Sequence, residues 1–214
     1  MINCAFFAKS IVWVSHILFC VALLPQIWVN YKLKSTRGLS DFLIIGYLNG
    51  YISYVYYSYL LGLPLAYKVM VPLATFFMLI IAFQRFFYAN YTQRKDKYFL
   101  AFYVFNLAIA IFLMPIAFRD RLSFGYFFGW TMMLVWATYQ IPQVVKVFLD
   151  KSVHGFSFSL VSLVAFGDMI ELIVAIILKL PVPTLLNDFR GILIYLIFSF
   201  QFWRYKESQH TLFK

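Results

Sequence analysis

Two carboxylate side chains lie inside an otherwise apolar stretch of the sequence. Asp168 and Glu171 are separated by three positions, which places both on one face of a helix, about 4.5 Å apart along its axis. A carboxyl group in such surroundings can bind and release a proton, or bind the ammonium group of a ligand. Its structural alternative is a neutral or hydrogen-bonded group. We predict that Asp168 has a binding function.

A buried arginine follows in the next apolar stretch. Arg190 falls at a depth similar to that of Glu171 if the two helices are antiparallel, and a buried arginine needs a counter-charge. We therefore expect a structural Glu171–Arg190 ion pair, which leaves Asp168 free to titrate. Asn187 and Asp188 either line an outer vestibule or cap the start of the last helix.

Other polar residues in apolar stretches are weaker candidates. His16 is a lone histidine, more typical of a hydrogen-bonded bundle residue than of a proton relay. Gln84 and Gln201 either face the inner end of a pathway or are interfacial residues without a role. Clusters typical of metal sites, nucleophile–base pairs and phosphate-binding loops are absent from the sequence. It therefore predicts neither an enzyme nor a cofactor.

The composition indicates that lipid is the solvent for most of the chain. Of the 214 residues, 64% are hydrophobic and 12% are charged, about half the charged fraction of a soluble domain. Since about 20 apolar residues cross a bilayer as a helix, we predict an all-α membrane protein of seven transmembrane helices. The predicted spans are residues 9–30, 42–62, 65–89, 98–118, 123–149, 157–179 and 183–204.

The basic residues predict the orientation of these spans. The net charge of +10 comes from short clusters between apolar runs, a pattern that orients membrane proteins and does not favour nucleic-acid binding. With the N-terminus outside, 12 of the 18 Lys and Arg residues lie inside. We therefore predict a cytoplasmic C-terminus. The Asn90–Thr92 glycosylation sequon would then face the cytoplasm, unused.

The chain contains a gapless internal repeat. A shift of 117 positions places Pro25-Gln26 on Pro142-Gln143, and further along it places Gly38 on Gly155 and Gln84 on Gln201. Each copy holds three spans, and the unpaired fourth span lets both copies run in the same direction. Parallel copies imply an axis along the membrane normal and a central cavity between the halves. We expect residues 1–90 to form the first repeat, 91–121 a linker with the fourth span, and 122–214 the second repeat with a short C-terminal tail.

The repeated Pro-Gln pairs predict two hinges. A proline inside a helix frees the carbonyl four residues earlier, here those of Val21 and Thr138. In lipid a freed carbonyl needs a partner. We expect the neighbouring amides of Gln26 and Gln143 to supply it.

These motifs resemble those of the PQ-loop family. The resemblance is carried by Leu24–Gln26 with Lys34–Ser40, and by Ile141–Gln143 with Lys151–Ser157. It extends over both repeats and implies a seven-helix transporter of a small molecule. Cystinosin-like proteins and lysosomal exporters of cationic amino acids belong to the family, and SWEET sugar transporters are related to it. The Lys-Ser-x-x-Gly-x-Ser loops are closer to the cystinosin type.

The resemblance also suggests where the solute binds. Tyr47 and Asn49 lie where the first repeat of the family presents polar groups to the cavity, and Asn49 is the stronger candidate. Cystinosin-like members carry an acidic residue at the position of Tyr195, and another at Val164, one turn before Asp168.

Three functions are consistent with these patterns. The leading one is an alternating-access transporter of a small polar solute, which we expect to be an amino acid, and it is either proton-coupled or a uniporter. The alternatives are a SWEET-like sugar facilitator and a non-transporting receptor that resembles the KDEL receptors. The chain lacks the large glycosylated luminal N-terminus of animal cystinosins, which favours a bacterial inner membrane; an endolysosomal membrane is the alternative. The tyrosines between residues 51 and 59 are expected to face lipid or the membrane interface.

Overall fold

The described residues form an all-α bundle of seven helices. The computed structural model describes residues 2–88 and 115–205, together with residues 98, 101, 105, 108, 109, 112 and 113, and it describes side chains from residue 6 onward. Helix α4 is described only at helical residues between 98 and 117. The other helices are α1 (Ile2–Leu33), α2 (Asp41–Leu60), α3 (Leu65–Phe87), α5 (Arg121–Asp150), α6 (Phe158–Leu178) and α7 (Val182–Tyr205).

The bundle is built to lie in a membrane. Within the described residues, α1, α3, α5, α6 and α7 are long and apolar enough to cross a bilayer. Helix α2 is not among them, because tyrosines, serines and Asn49 interrupt its apolar sequence. Large hydrophobic side chains such as Phe76, Phe83 and Phe200 are exposed on the outer surface. Lipid is the solvent that such a surface requires.

The six described helices pack as two equivalent triplets. In the first repeat α3 lies between α1 and α2, and in the second α7 lies between α5 and α6. The triplets meet along two seams, where α2 packs against α5 and α1 packs against α6. This arrangement confirms the predicted architecture of two parallel repeats. The space between the four seam helices is where a central cavity can form.

The loops that follow α1 and α5 have similar conformations, which differ at their equivalent glycines: Gly155 has a φ of +78°, whereas the φ of Gly38 is not positive. We call residues 34–40 the first loop and residues 151–157 the second loop. Both begin with a lysine at φ 47°, and both end in a serine, Ser40 or Ser157, that caps the next helix. The cap hydroxyls accept hydrogen bonds from Leu43 N and Leu160 N. Because the repeats are parallel, both loops lie at one end of the bundle, here called the loop end.

Several predicted features lie outside the described residues. These are the sequon at Asn90–Thr92, the basic cluster at residues 94–97, most of the fourth span and the tail after Tyr205.

Candidate functional site

A small cavity lies between the two repeats. Every described helix of the two triplets contributes to its walls, and its volume is about 40 Å³. One buried water needs roughly 10–15 Å³ on this measure, so the cavity has room for only a few waters. Its polar lining consists of His16, Tyr47, Tyr51, Tyr54, Trp136, Gln140, Asp168, Asn187, Asp188, Arg190 and Tyr195.

Contacts between the two repeats narrow the cavity at both ends. At the end opposite the loops, the Tyr57 and Thr184 hydroxyls lie 2.8 Å apart, and Tyr56 stacks on Phe128 with ring centroids 4.5 Å apart. Gly129 lets α5 approach Tyr57, since an added Cβ would lie 2.7 Å from the ring. At the loop end the two loops touch. Both ends of the cavity are therefore narrowed by contacts between the repeats.

Arg190 is held by neutral partners. Its guanidinium donates to Gln140 Oε1 and, at 2.9 Å, to Asn187 Oδ1. The predicted Glu171–Arg190 ion pair is wrong. Similar depth in the membrane did not bring the two side chains together, because Glu171 faces α1 and α3 whereas Arg190 faces α5.

Asp168 and Asp188 each have an unsatisfied oxygen. Both side chains are buried and line the cavity, and the Oδ2 atom of each has no hydrogen-bond partner among the described residues. Helix α7 approaches Asp168 at Gly191, where an added Cβ would overlap the carboxyl group. Because α7 begins at Val182, Asn187 and Asp188 lie in its second turn, so helix capping is excluded.

Tyrosines of α2 form one wall of the cavity. The Tyr47 hydroxyl is hydrogen-bonded to that of Tyr195, and Gln140 Nε2 donates to it at 3.1 Å. Tyr51 and Tyr54 pack edge to face against Trp136. The prediction that the tyrosines of this helix face lipid is wrong for Tyr51, Tyr54, Tyr56 and Tyr57, which are buried; Tyr59 is 46% exposed.

Asn49 lies away from this wall. Tyr47, Tyr51 and Tyr54 share one face of α2 by their spacing of four and three residues. Asn49 is two positions from Tyr47, points to a different side of the helix, and is half-buried outside the cavity lining. Tyr47 therefore lines this cavity and Asn49 does not, and the role of Asn49 stays a prediction.

A second polar cluster surrounds Glu171. Ser15 Oγ donates to Glu171 Oε2 at 2.5 Å, the Tyr67 hydroxyl donates to Oε1, and His16 Nδ1 lies 3.4 Å from Oε2. The four side chains are buried. Ser15 and Tyr67 were not predicted, and His16 was predicted to be an ordinary bundle residue. Its acidic partner is far along the sequence, on a helix of the other repeat.

The two Pro-Gln glutamines bind the loop of the opposite repeat. Gln26 Nε2 donates to Gly155 O at 2.9 Å and Gln26 Oε1 accepts from Ser157 N at 2.8 Å. Gln143 makes the equivalent bonds to Gly38 O at 3.1 Å and Ser40 N at 2.6 Å. We call these four bonds the loop latch. The prediction that these amides satisfy the carbonyls freed by Pro25 and Pro142 is therefore wrong.

The remaining glutamine pair braces the helices next to the loop latch. Gln84 Nε2 donates to Ile27 O at 3.0 Å, and Gln201 Nε2 donates to Val144 O at 2.8 Å. The two carbonyls are equivalent in the repeat. Gln84 thus joins α3 to α1, and Gln201 joins α7 to α5. Neither glutamine lines the central cavity.

Gln140 and Trp136 are cavity residues that the sequence analysis missed. Gln140 lies one turn before Gln143 in the same apolar helix, and a buried amide beside a predicted hinge was an available signal. Trp136 gave none, because a tryptophan in a membrane helix is as typical of a lipid-facing position.

Comparisons with known proteins agree with the repeat. The family model described as the PQ loop repeat matches residues 7–67 and 124–184. Cystinosin of Drosophila melanogaster is 28% identical over 174 residues, which cover 68% of this chain and 42% of that protein. An uncharacterised protein of Schizosaccharomyces pombe is 24% identical over 159 residues, which cover 72% and 56%. The chain thus spans about half the length of the curated relatives it matches.

Proposed function

Because this chain belongs to the PQ-loop family, we propose that it is an alternating-access transporter of a small polar solute, and that the solute is an amino acid. The observation that supports this proposal is the buried cavity between the repeats, where acidic and basic groups have unsatisfied atoms. Family membership and the apolar helices make it an integral membrane protein. The proposal involves no enzymatic reaction.

The charged groups of the cavity match a zwitterion. The free Oδ2 atoms of Asp168 and Asp188 are acceptors for an ammonium group. Arg190 Nε has no partner among the described residues and is a donor for a carboxylate. Buried charges need opposite charges or hydrogen bonds, and an amino acid supplies both. In this assignment Asp168 binds the substrate ammonium.

The small volume of the cavity supports alternating access. A cavity for a few waters cannot hold an amino acid, so the repeats must separate on one side to load it and on the other to release it. Pro25 and Pro142 lie in α1 and α5 next to the loop latch, where a bend opens the loop end. We assign these prolines as the hinges.

Two other functions remain alternatives. A SWEET-like sugar facilitator would use the aromatic wall at Tyr47, Tyr51 and Trp136, but a sugar gives the carboxyl groups no counter-charge. A receptor that resembles the KDEL receptors would bind its ligand in this cavity without moving it.

The orientation and the membrane are also proposals. The positive-inside count supports a cytoplasmic loop end and C-terminus. Both relatives come from eukaryotes, which supports the endolysosomal alternative over the bacterial inner membrane.

Uptake into proteoliposomes tests the function. A panel of labelled amino acids and sugars is offered with and without a pH gradient, and amino-acid uptake is the expected result. Asp168→Asn should lower it at least about tenfold, which corresponds to about 1.4 kcal/mol of lost interaction. Asp150→Asn, the same substitution at an exposed residue, is the matched control. Sugar uptake that is insensitive to Asp168→Asn would favour the facilitator, and binding without uptake would favour the receptor.

A further inference from the structure

Glu171 joins the two repeats through a buried polar cluster. Its carboxylate lies on α6 of the second repeat and receives hydrogen bonds from Ser15 on α1 and Tyr67 on α3, both in the first repeat. Its relative exposure is 0%. The cluster therefore lies across the α1–α6 seam, which must rearrange if the repeats move against each other. A change of charge here would act on that seam directly.

His16 separates Glu171 from the cavity. The imidazole lines the cavity, whereas Glu171 does not. Its Nδ1 atom lies 3.4 Å from Glu171 Oε2 and 3.1 Å from Val12 O, and its Nε2 atom has no partner among the described residues. The ring therefore has one nitrogen next to Glu171 and a second nitrogen without a partner in the described part of the chain. A proton can enter at one nitrogen while another leaves from the opposite one.

We infer that His16 and Glu171 form the binding site of a coupled proton, with His16 as its port; this inference rests on the proposed transport function. In the empty site Glu171 is ionised and the neutral imidazole carries its proton on Nδ1. A proton from the cavity binds Nε2, and the Nδ1 proton passes to Glu171 Oε2. The result is a neutral carboxyl group and a neutral imidazole with its proton on Nε2. One proton has been taken up, and the reverse sequence releases it.

The surrounding groups suit storage of a proton. Asp168 on α6, Asp188 on α7 and Tyr54 on α2 interact electrostatically with Glu171. Tyr67 on α3 and His16 on α1 contact it directly. Arg190, the cation of the cavity, is bound to Gln140 and Asn187. Two further carboxyl groups thus interact electrostatically with Glu171, and a proton taken up by the cluster lowers its negative charge.

Proton uptake also changes the hydrogen bonds across the seam. The ionised carboxylate accepts from Ser15 and Tyr67. Once protonated, Oε2 becomes a donor, and its acceptor is the deprotonated Nδ1 of His16. Ser15 Oγ, which lies 2.5 Å from Oε2 and 3.3 Å from Nδ1, must then find another acceptor, and the Val12 carbonyl at 3.0 Å is available. The proton thereby alters the contact between the repeats.

The test measures protons and solute in the same vesicles. Proteoliposomes that contain a pH-sensitive dye receive a labelled amino acid transported by the wild type, and the ratio of protons to solute is recorded. We expect a ratio near one for the wild type and near zero for Glu171→Gln. With the outside one pH unit more acidic than the inside, vesicles with the wild type should accumulate the solute by at most about tenfold. Vesicles with Glu171→Gln should not accumulate it.

Further variants keep the inference falsifiable. His16→Gln retains a donor toward Glu171 but cannot carry a proton, and it should also reduce the ratio to near zero. It decides the outcome if Glu171→Gln does not fold. The exposed control Asp150→Asn lies outside the cluster and should keep the wild-type ratio. A wild-type ratio in either Glu171→Gln or His16→Gln would overturn the inference. Absence of any solute movement in the wild type would instead refute the proposed transport function.

Discussion

The two repeats are equivalent at the loop end and unequal in the cavity. At the loop end Gln26 and Gln143 make the same pair of main-chain bonds, each to the loop of the other repeat. In the cavity a shift of 117 positions pairs Asp168 with Tyr51, both of which line it. Closure is thus shared by the repeats, whereas the charged groups come mainly from the second.

The same inequality extends to Glu171, whose equivalent is Tyr54. The first repeat supplies aromatic surface and one histidine, and the second supplies the carboxyl groups and the arginine. An asymmetric substrate, with an ammonium group at one end and a carboxylate at the other, requires such a division. The symmetric loop latch is compatible with an asymmetric substrate, because its glutamines contact main-chain atoms and not the substrate.

The largest expected effect comes from crowding the contact between the loops. A Cβ at Gly38 would overlap the backbone of Gly155, and one at Gly155, where φ is +78°, would lie 3.0 Å from Gly38 Cα. Overpacking costs roughly 1–3 kcal/mol, so Gly38→Ala should lower uptake about tenfold or more. A cysteine placed at the buried Leu39 should also react faster with a thiol reagent.

Gly62→Ala is the control for this prediction. Gly62 has a φ of +65° but nothing within 4 Å of an added Cβ, so it tests backbone strain without crowding. Uptake should remain close to that of the wild type. The contrary outcome is that Gly38→Ala transports normally, with no change in the reactivity of a cysteine at position 39. In that case the contact between the loops would not be needed for transport.

Removing the glutamine amides should have a smaller effect that is similar in the two repeats. Gln26→Ala and Gln143→Ala each delete two hydrogen bonds of the loop latch, worth about 0.5–1.5 kcal/mol apiece. Initial uptake rates should fall severalfold in both. Gln26→Ala should be the more severe, since Gln26 also donates to Asn30 at 2.8 Å. Gln26→Glu keeps the acceptor for Ser157 but loses the donor for Gly155, and it should fall between wild type and alanine. If the uptake rates of the two alanine variants differed by more than about tenfold, the two halves of the loop latch would not be equivalent.

The smallest effect concerns a pair of contacts that differ between the repeats. Arg85 donates to Asp41 at 2.6 and 3.1 Å, whereas the equivalent Phe158 and Phe202 pack with ring centroids 5.2 Å apart. Asp41 is 39% exposed, and ion pairs of this kind contribute about 1 kcal/mol or less. Asp41→Asn should lower the melting temperature by no more than about 3 °C. High salt should abolish this difference in melting temperature. Phe158→Leu, which weakens the equivalent apolar contact, should lower the melting temperature by an amount that does not depend on salt. A salt-independent loss for Asp41→Asn would refute an electrostatic contribution.

The fold could be predicted from the sequence because the repeat is visible in it. The matching Pro-Gln pairs and loops predict two parallel triplets, and the apolar runs predict where each helix lies. The observed helices begin and end within a few residues of the predicted spans, except that α1 extends to Ile2.

The cavity was harder to predict, because depth in the membrane does not give the direction of a side chain. Glu171 and Arg190 lie at similar depth, but only the packing of α6 on α1 determines that Glu171 faces His16. Tyrosine side chains suit lipid interfaces and protein interiors alike, so Tyr51 and Tyr54 gave no signal of their burial. Asp168 was predicted as a candidate because an acidic residue in an apolar helix indicates a functional position, whichever way its side chain points.

The loop latch has a consequence for how the two loops can vary. Each glutamine recognises a carbonyl oxygen and an amide hydrogen, which every residue other than proline provides. The loop side chains therefore take no part in that recognition, and the present sequence already differs between the loops at the exposed, equivalent positions Arg37 and His154. Substitutions can accumulate there without loosening the gate, as long as the glycines and the backbone path persist. The loop surface is thus open to mutational drift, and new surface properties can evolve on it independently of the transport cycle.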